Sequence, residues 1–201
     1  MIDSTPLPLV GAGKPLRADA VRNQARLLEA AARLAAERGA AALTMEAVAA
    51  AAGVGKGTVS RRFGDRGGLL LALLDHAERQ FQEEFLTGRP PLGSGAPAAD
   101  RLHAFGPALL RHERTHLDLY LAAEPTAGRR YAVPAKRLRH AHVVALVRTL
   151  LPEADAELLA HTLLASVDLV LVDHLVRVHG TAVERVEAGW HDLVDRLLTR
   201  G

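Results

Sequence analysis

Two groups of residues in this sequence have types and spacings that could do chemistry. The first is His112-Glu113-Arg114-Thr115-His116, an H-E-x-x-H pattern. On a helix, residues four apart share a face, so both imidazoles could hold one zinc ion while Glu113 acts as a general base. The chain would then be a metallopeptidase or a zinc-binding helical protein. The surroundings weigh against this. A third ligand is needed, and Leu119 stands where the extended motif has glycine. No alternating apolar pattern supplies a strand to hold an extended peptide. Solvated or pocket-edge histidines are the plainer reading.

The second group is Lys56, Gly57, Thr58, Ser60, Arg61 and Arg62, with Thr44 and Gly55 before it and Arg66 after it. These are mostly cations and hydroxyls, the side chains that reach phosphates and base edges. Gly57 has no side chain, so backbone could approach a ligand closely. The plain alternative is a helical hairpin with a solvated basic face.

The elements that must position this second group can be read from the segment Thr44 to Arg66. Thr44 is a helix cap for Met45 to Ala52, Gly53-Val54-Gly55 is a tight turn, and Lys56 to Phe63 is a second short helix ending at Gly64. Two helices of about two turns joined by a Gly-containing turn form a helix-turn-helix unit. Neither would stand alone in water. They must pack on each other, through Val48, Ala49 and Ala52 against Val54, Val59 and Phe63, and on a preceding helix. That helix runs from an N-cap at Asp19 to Arg38, with apolar positions Leu27, Leu28, Ala31, Leu34 and Ala35 and a stop at Gly39. Asp65 caps a longer fourth helix.

Charge distribution agrees with a nucleic-acid-binding head. Residues 1–66 hold ten Lys/Arg against six Asp/Glu, while all ten histidines lie beyond them. Net charge over the 201 residues is only +2. The chain is 49% apolar, mostly Ala, Leu and Val, with 3% aromatic residues. That composition favours helices and disfavours a sandwich or barrel and an aromatic base-stacking RNA module. There are no cysteines, which excludes disulfides and zinc ribbons. No cofactor is expected. The first residues lack the basic and apolar pattern of a signal peptide. The most apolar stretch, Leu158 to Val172, is interrupted by His161 and Asp168 and reads as a buried helix. The expectation is a cytoplasmic protein without a membrane partner.

The fold class is therefore all-α, with about nine helices. A flexible arm spans residues 1–18, the helix-turn-helix domain residues 19–66 and a helical domain residues 67–201. Past a Pro/Gly/Ser-rich break at Gly88 to Pro97, helices are expected over Ala98–His112, Glu113–Ala123, Pro134–Leu151, Ala154–His179 and Val183–Thr199. The segment Glu124–Val133 is a loop. The helix Ala154–His179 is apolar nearly all round and needs burial on most sides. With the apolar stripe of the last helix it could build half of a four-helix bundle between two subunits, or serve a monomer core. The candidate interface residues are Leu163, Val167, Val170, Leu171, Trp190, Leu193, Val194 and Leu197. Asp168 needs a partner if buried, across the interface or in a ligand cavity. Phe105, Tyr120, Tyr131 and His142 are further candidate cavity residues. Arg17 and Arg22 are candidates for contacts to phosphate or the minor groove. A helical adaptor that binds protein alone would explain the apolar helices, but not the basic helix after the glycine turn.

From Arg26 to about Leu74 the chain resembles the tetracycline-repressor-like (TetR) family. The resemblance rests on Leu27 to Gly39 (LLEAAARLAAERG), Thr44, Val48-Ala49, the run Ala52-Gly53-Val54-Gly55-Lys56-Gly57-Thr58-Val59, Phe63 and Leu69-Leu70. It implies a homodimer that binds a palindromic double-stranded DNA operator, usually as a repressor. It also implies a small-molecule effector in the second domain and an interface formed largely by the last two helices. The residue matching Thr44 would anchor a phosphate. Those matching Gly55, Lys56, Thr58, Ser60, Arg61 and Arg62 would face the major groove, and that matching Arg66 would hold a phosphate at the next helix. The family usually has an aromatic where this chain has Ser60, His or Tyr at Arg62, Lys at Arg66 and Phe at Ala35. Ser60 gives up a long arm and its apolar contact with thymine methyls.

Overall fold

The computed structural model describes residues 13–122 and 134–199, with residues 13–21 and 122 described by backbone alone. The loop expected at Glu124–Val133 lies outside them, and so do Tyr131 and the side chain of Arg17. The described residues form ten α-helices and one short 3-10 turn, with no strand. By internal packing the chain divides into two units, residues 1–73 and 74–201.

In the first unit, α1 spans Gly13–Arg38, α2 Met45–Ala52, α3 Lys56–Phe63, and α4 begins at Arg66 and runs to Thr87. The first helix starts six residues before the expected cap at Asp19. Pro15 sits in its first turn, where a missing N–H costs nothing. Thr44 caps α2 as its residue type predicts, its hydroxyl accepting from Ala47 N at 3.1 Å. Gly53 ends that helix in the left-handed region (φ 67°), and Val54 N donates back to Ala49 O at 3.0 Å. An L side chain is disfavoured there, so the glycine sets the turn. Asp65 Oδ1 accepts from Gly68 N at 2.8 Å at the start of α4. Leu27, Leu28, Ala31 and Leu34 of α1 are buried, as are Val48 and Ala49 of α2 and Val59 of α3. Helix α2 packs on both α1 and α3.

In the second unit, α5 (Ala98–Thr115) packs on α7 (Pro134–Leu150) and α10 (Val183–Thr199), and α7 packs on α8 (Ala156–Ser166). The short α6 spans Leu117–Ala122. The break between α5 and α6 falls at His116, three residues later than expected. The single helix expected over Ala154–His179 is two. Asp168 starts α9 (Leu169–Arg177), its carboxylate accepting from Val170 N at 3.1 Å and Leu171 N at 3.4 Å. An apolar run conceals such a break, because the aspartate that makes it also reads as a tolerated interruption. Residues 156–177 are long and apolar enough to cross a membrane, but this cap divides them.

The core of this unit corrects part of the expected dimer interface. Leu163, Val167, Trp190 and Val194 are buried within the protomer and offer no surface to a second one. Trp190 is 1% exposed, and its Nε1 donates to Leu102 O at 3.0 Å. Its indole lies against Gly106, where an added Cβ would come within 2.1 Å of the ring. Val170, Leu171 and Leu193 are exposed, and Leu197 is half-buried against the core. Leu158 and Val178 are exposed apolar residues not expected at the interface, at 63% and 66%.

Gly106→Ala should therefore lower stability by about 1–3 kcal/mol through overpacking against Trp190. Urea unfolding followed by tryptophan fluorescence measures this. An unchanged midpoint would contradict the assignment of Trp190 to the protomer core.

Candidate nucleic-acid interface and effector cavity

The surface of α3 not used for packing is polar. Lys56, Arg61 and Arg62 are exposed, and Thr58 and Ser60 are half-buried beside the fully buried Val59. At both Gly55 and Gly57 an added Cβ would meet nothing within 4 Å, so α3 begins on an open surface. The cations are held in place by neighbours. Lys56 pairs with Glu46 of α2, which keeps that carboxyl below its usual range, chiefly through their hydrogen bond. Arg61 Nε donates to Gly57 O at 3.3 Å within α3, and Arg62 donates to the Gln24 side chain on α1. Arg22 is also exposed on α1.

Arg66 has a role the sequence did not suggest. Its Nε donates to Leu43 O and its Nη2 to Ala40 O, both at 2.9 Å. The guanidinium thus closes the backbone turn that leads into Thr44 and α2. A planar fork can serve two carbonyls at once in a way a single ammonium does less well. Its remaining N–H groups are the ones open to a phosphate.

The second unit contains a cavity of about 350 Å³. Its wall includes Leu109 and Glu113 of α5, Lys136, Arg139 and His140 of α7, and Leu164 of α8. Of the residues expected to line a cavity, Asp168 does so. Its carboxylate also lies 3.6 Å from Lys136 Nζ. Phe105 and His142 are core residues away from this wall. His142 packs against the rings of Phe85 and Phe105, and burial, helped by Arg101, lowers its pKa to about 4.

Tyr120 belongs to a buried ionic network beside the cavity. Arg139 is 3% exposed and donates to Glu113 Oε1 at 2.7 Å and to both Glu78 oxygens at 2.7 and 2.8 Å. Its Nη2 also donates to the Tyr120 hydroxyl at 2.8 Å, and that hydroxyl donates to Glu78. Burial works against the Glu78 carboxylate. Nearby His112 and Arg139 and the Tyr120 hydrogen bond nevertheless hold its pKa below the usual value. Burial raises the pKa of Glu113 despite Arg139. No sequence pattern announced this network, since its members come from four helices.

The same network engages residues of the H-E-x-x-H pattern in other contacts. Glu113 is bound to Arg139 and is not poised over a metal. His112 Nε2 lies 3.0 Å from the Tyr120 oxygen, whose single proton goes to Glu78. That ring nitrogen therefore carries a hydrogen and acts as donor. His116 Nδ1 is 2.9 Å from His112 O, past the end of α5. Among the described residues no group of three or more His, Cys, Asp or Glu could hold a metal ion.

Residues 27–73, which contain the cap, turn and basic helix, match the sequence model of the bacterial regulatory proteins of the tetR family. The chain carries the DNA-binding module of the tetR family over those residues. It is an all-α, DNA-binding transcription regulator. No curated protein sequence matches it. Its fold is similar to that of several solved regulators. A transcriptional regulator from Saccharomonospora viridis, solved in complex with choline, is 20% identical with a TM-score of 0.68. The match covers 87% of this chain and 96% of that one. A TetR-family regulator from Rhodococcus sp. is 20% identical with a TM-score of 0.63, over 89% and 99% of the two chains. NalD, the secondary repressor of the MexAB-OprM multidrug efflux pump in Pseudomonas aeruginosa, is 18% identical with a TM-score of 0.52, over 90% and 96%. At these identities the likeness is one of fold.

Replacing Arg66 by alanine should cost about 1–3 kcal/mol, because two partly buried carbonyls lose a charged donor. Arg66→Lys should recover part of that loss. Far-UV circular dichroism during urea unfolding measures both, and wild-type stability in Arg66→Ala would refute the clip.

Proposed function

We propose that this regulator is a ligand-responsive homodimeric repressor acting in the cytoplasm on a palindromic operator. The observation that carries the reading is α3. It is an eight-residue helix whose inner side is sealed by Val59 and whose outer side presents Lys56, Arg61 and Arg62 around an open glycine. In this reading α3 enters the major groove. Thr58, Ser60, Arg61 and Arg62 face base edges and phosphates, and Gly55, Lys56 and Gly57 meet the backbone. The start of α2 at Thr44 and the remaining donors of Arg66 take flanking phosphates. The salt dependence of such binding comes from counterions released as the cations neutralise phosphates.

The exposed apolar residues Leu158, Val170, Leu171, Val178 and Leu193 support a second copy of the chain as partner, since they lie on or beside α8–α10 and otherwise face water. Two copies would place their α3 helices about one turn of DNA apart. The cavity supports an effector, and the choline complex of the Saccharomonospora regulator is a precedent within this fold. Repression accords with the named role of NalD. An effector acts by binding one of two arrangements more tightly, which lowers the population competent for DNA. The adaptor reading leaves the basic face of α3 without a purpose.

Fluorescence anisotropy across a salt series tests the proposal, using the DNA upstream of the protein's own gene and a scrambled duplex. Specific binding should weaken with salt by about 0.9 log units per tenfold for each phosphate neutralised. Arg61→Ala with Arg62→Ala should weaken it and lower that slope by about 1 for each phosphate that no longer meets a cation. Equal affinity of the double variant and wild type would remove α3 from the interface.

A further inference from the structure

The cavity wall carries a charge pattern that selects among classes of effector, an inference that rests on the proposed effector role of this cavity. Lys136 and Arg139 stand three residues apart on α7, a spacing that places them on one helix face, and both border the cavity. Arg137 is a third cation on the wall. Against these stand two carboxylates, Glu113 and Asp168, and each already faces a cation. Glu113 accepts from Arg139 at 2.7 Å, and Asp168 lies 3.6 Å from Lys136. Glu78 also binds Arg139 but is not part of the wall, and it takes the Tyr120 hydroxyl proton besides.

Among the described residues a cationic ligand would meet no uncompensated carboxylate here. Nor, among the described residues, does any Phe, Tyr or Trp line the wall to cradle an ammonium group. The unmet demand is of the opposite kind. Arg139 Nε–H is a buried donor without an acceptor, although Nη1 and Nη2 both donate. Such an orphan is costly in a dry interior, and an acceptor that reached it would relieve that cost. The remaining described wall is aliphatic at Leu109, Leu164, Ala165 and Val167, beside the stacked imidazoles of His140 and His161. We propose that the cavity takes a small amphipathic carboxylate, with its head at Lys136 and Arg139 and its tail along Leu109, Leu164 and Val167.

Three probes of eight carbons each isolate the head group: octanoate, octan-1-ol and octylammonium. Isothermal titration of the full chain near neutral pH should find octanoate tightest, by about tenfold or more, the worth of one charge-assisted hydrogen bond. Lys136→Gln should remove most of that margin and leave octan-1-ol unchanged, with the circular dichroism spectrum retained. Octylammonium binding tightest, octanoate and octan-1-ol binding alike, or Lys136→Gln weakening all three equally would each overturn the assignment. So would the absence of binding by any probe. Anisotropy with the operator duplex separates the two levels. Intact DNA binding in a protein indifferent to octanoate sinks this inference alone. Octanoate binding that leaves operator affinity unchanged upholds the carboxylate site and refutes its effector role.

Discussion

Two eight-residue helices cannot hold their shape in water, and the amino-terminal unit is organised around that constraint. Helix α2 gives up Val48 and Ala49 to burial, and α3 gives up Val59, so each helix is stabilised by neighbours and not by its own length. The chain between α1 and α2 is then fixed from outside, by the Arg66 guanidinium on the carbonyls of Ala40 and Leu43. The left-handed glycine at position 53 sets the angle between α2 and α3. What these requirements leave over is a rigid polar face bearing Lys56, Arg61 and Arg62. A DNA reader needs such pre-organisation, because every side chain that must be ordered on binding subtracts from affinity.

The carboxy-terminal unit solves a different problem. It buries a guanidinium and two carboxylates, which costs several kcal/mol per ion before any pairing. Arg139 answers this by contacting Glu78, Glu113 and Tyr120 together, and it lies 5.5 Å from the centre of the Phe81 ring. Replacing such a set with aliphatic residues is often neutral or favourable for stability, so stability alone is a weak reason for its presence. Its position on the cavity wall offers another reason, since a charged group kept dry is a strong handle for a polar ligand.

Much of the first unit was legible in the sequence because its signals are local. Thr44 precedes an apolar run, Gly53 follows it, and cations cluster after the turn; each is read within a few residues. The Arg66 clip was not legible, because it joins positions more than twenty residues apart through backbone carbonyls that have no sequence signature. In the second unit, periodicity located the helices but could not divide inward from outward apolar residues on an element that is apolar all round. Leu163 and Val167 of that element, with Trp190 and Val194 on the stripe of the last helix, read as interface residues, whereas they build the protomer core. Asp168 was recognised as needing a partner. That it would break the helix and cap its second half depends on a choice between local hydrogen bonds and helical continuity that the pattern does not encode. The H-E-x-x-H match shows the converse, a local signal without the surroundings that would give it meaning.

Entry of α3 into the major groove of DNA is the central claim, and a cleaving group tethered to α3 tests it most directly. The chain has no cysteine, and a side chain at Gly57 would meet nothing within 4 Å. Gly57→Cys can therefore carry a single iron-chelate label at the middle of the proposed contact surface. The labelled protein would be bound to a duplex it selects from random sequence. Two clusters of strand cuts are expected about one helical turn, roughly 10 base pairs, apart, with the strand offset of a major-groove source. Tight binding with diffuse cutting, or with cuts offset as from the minor groove, would contradict it.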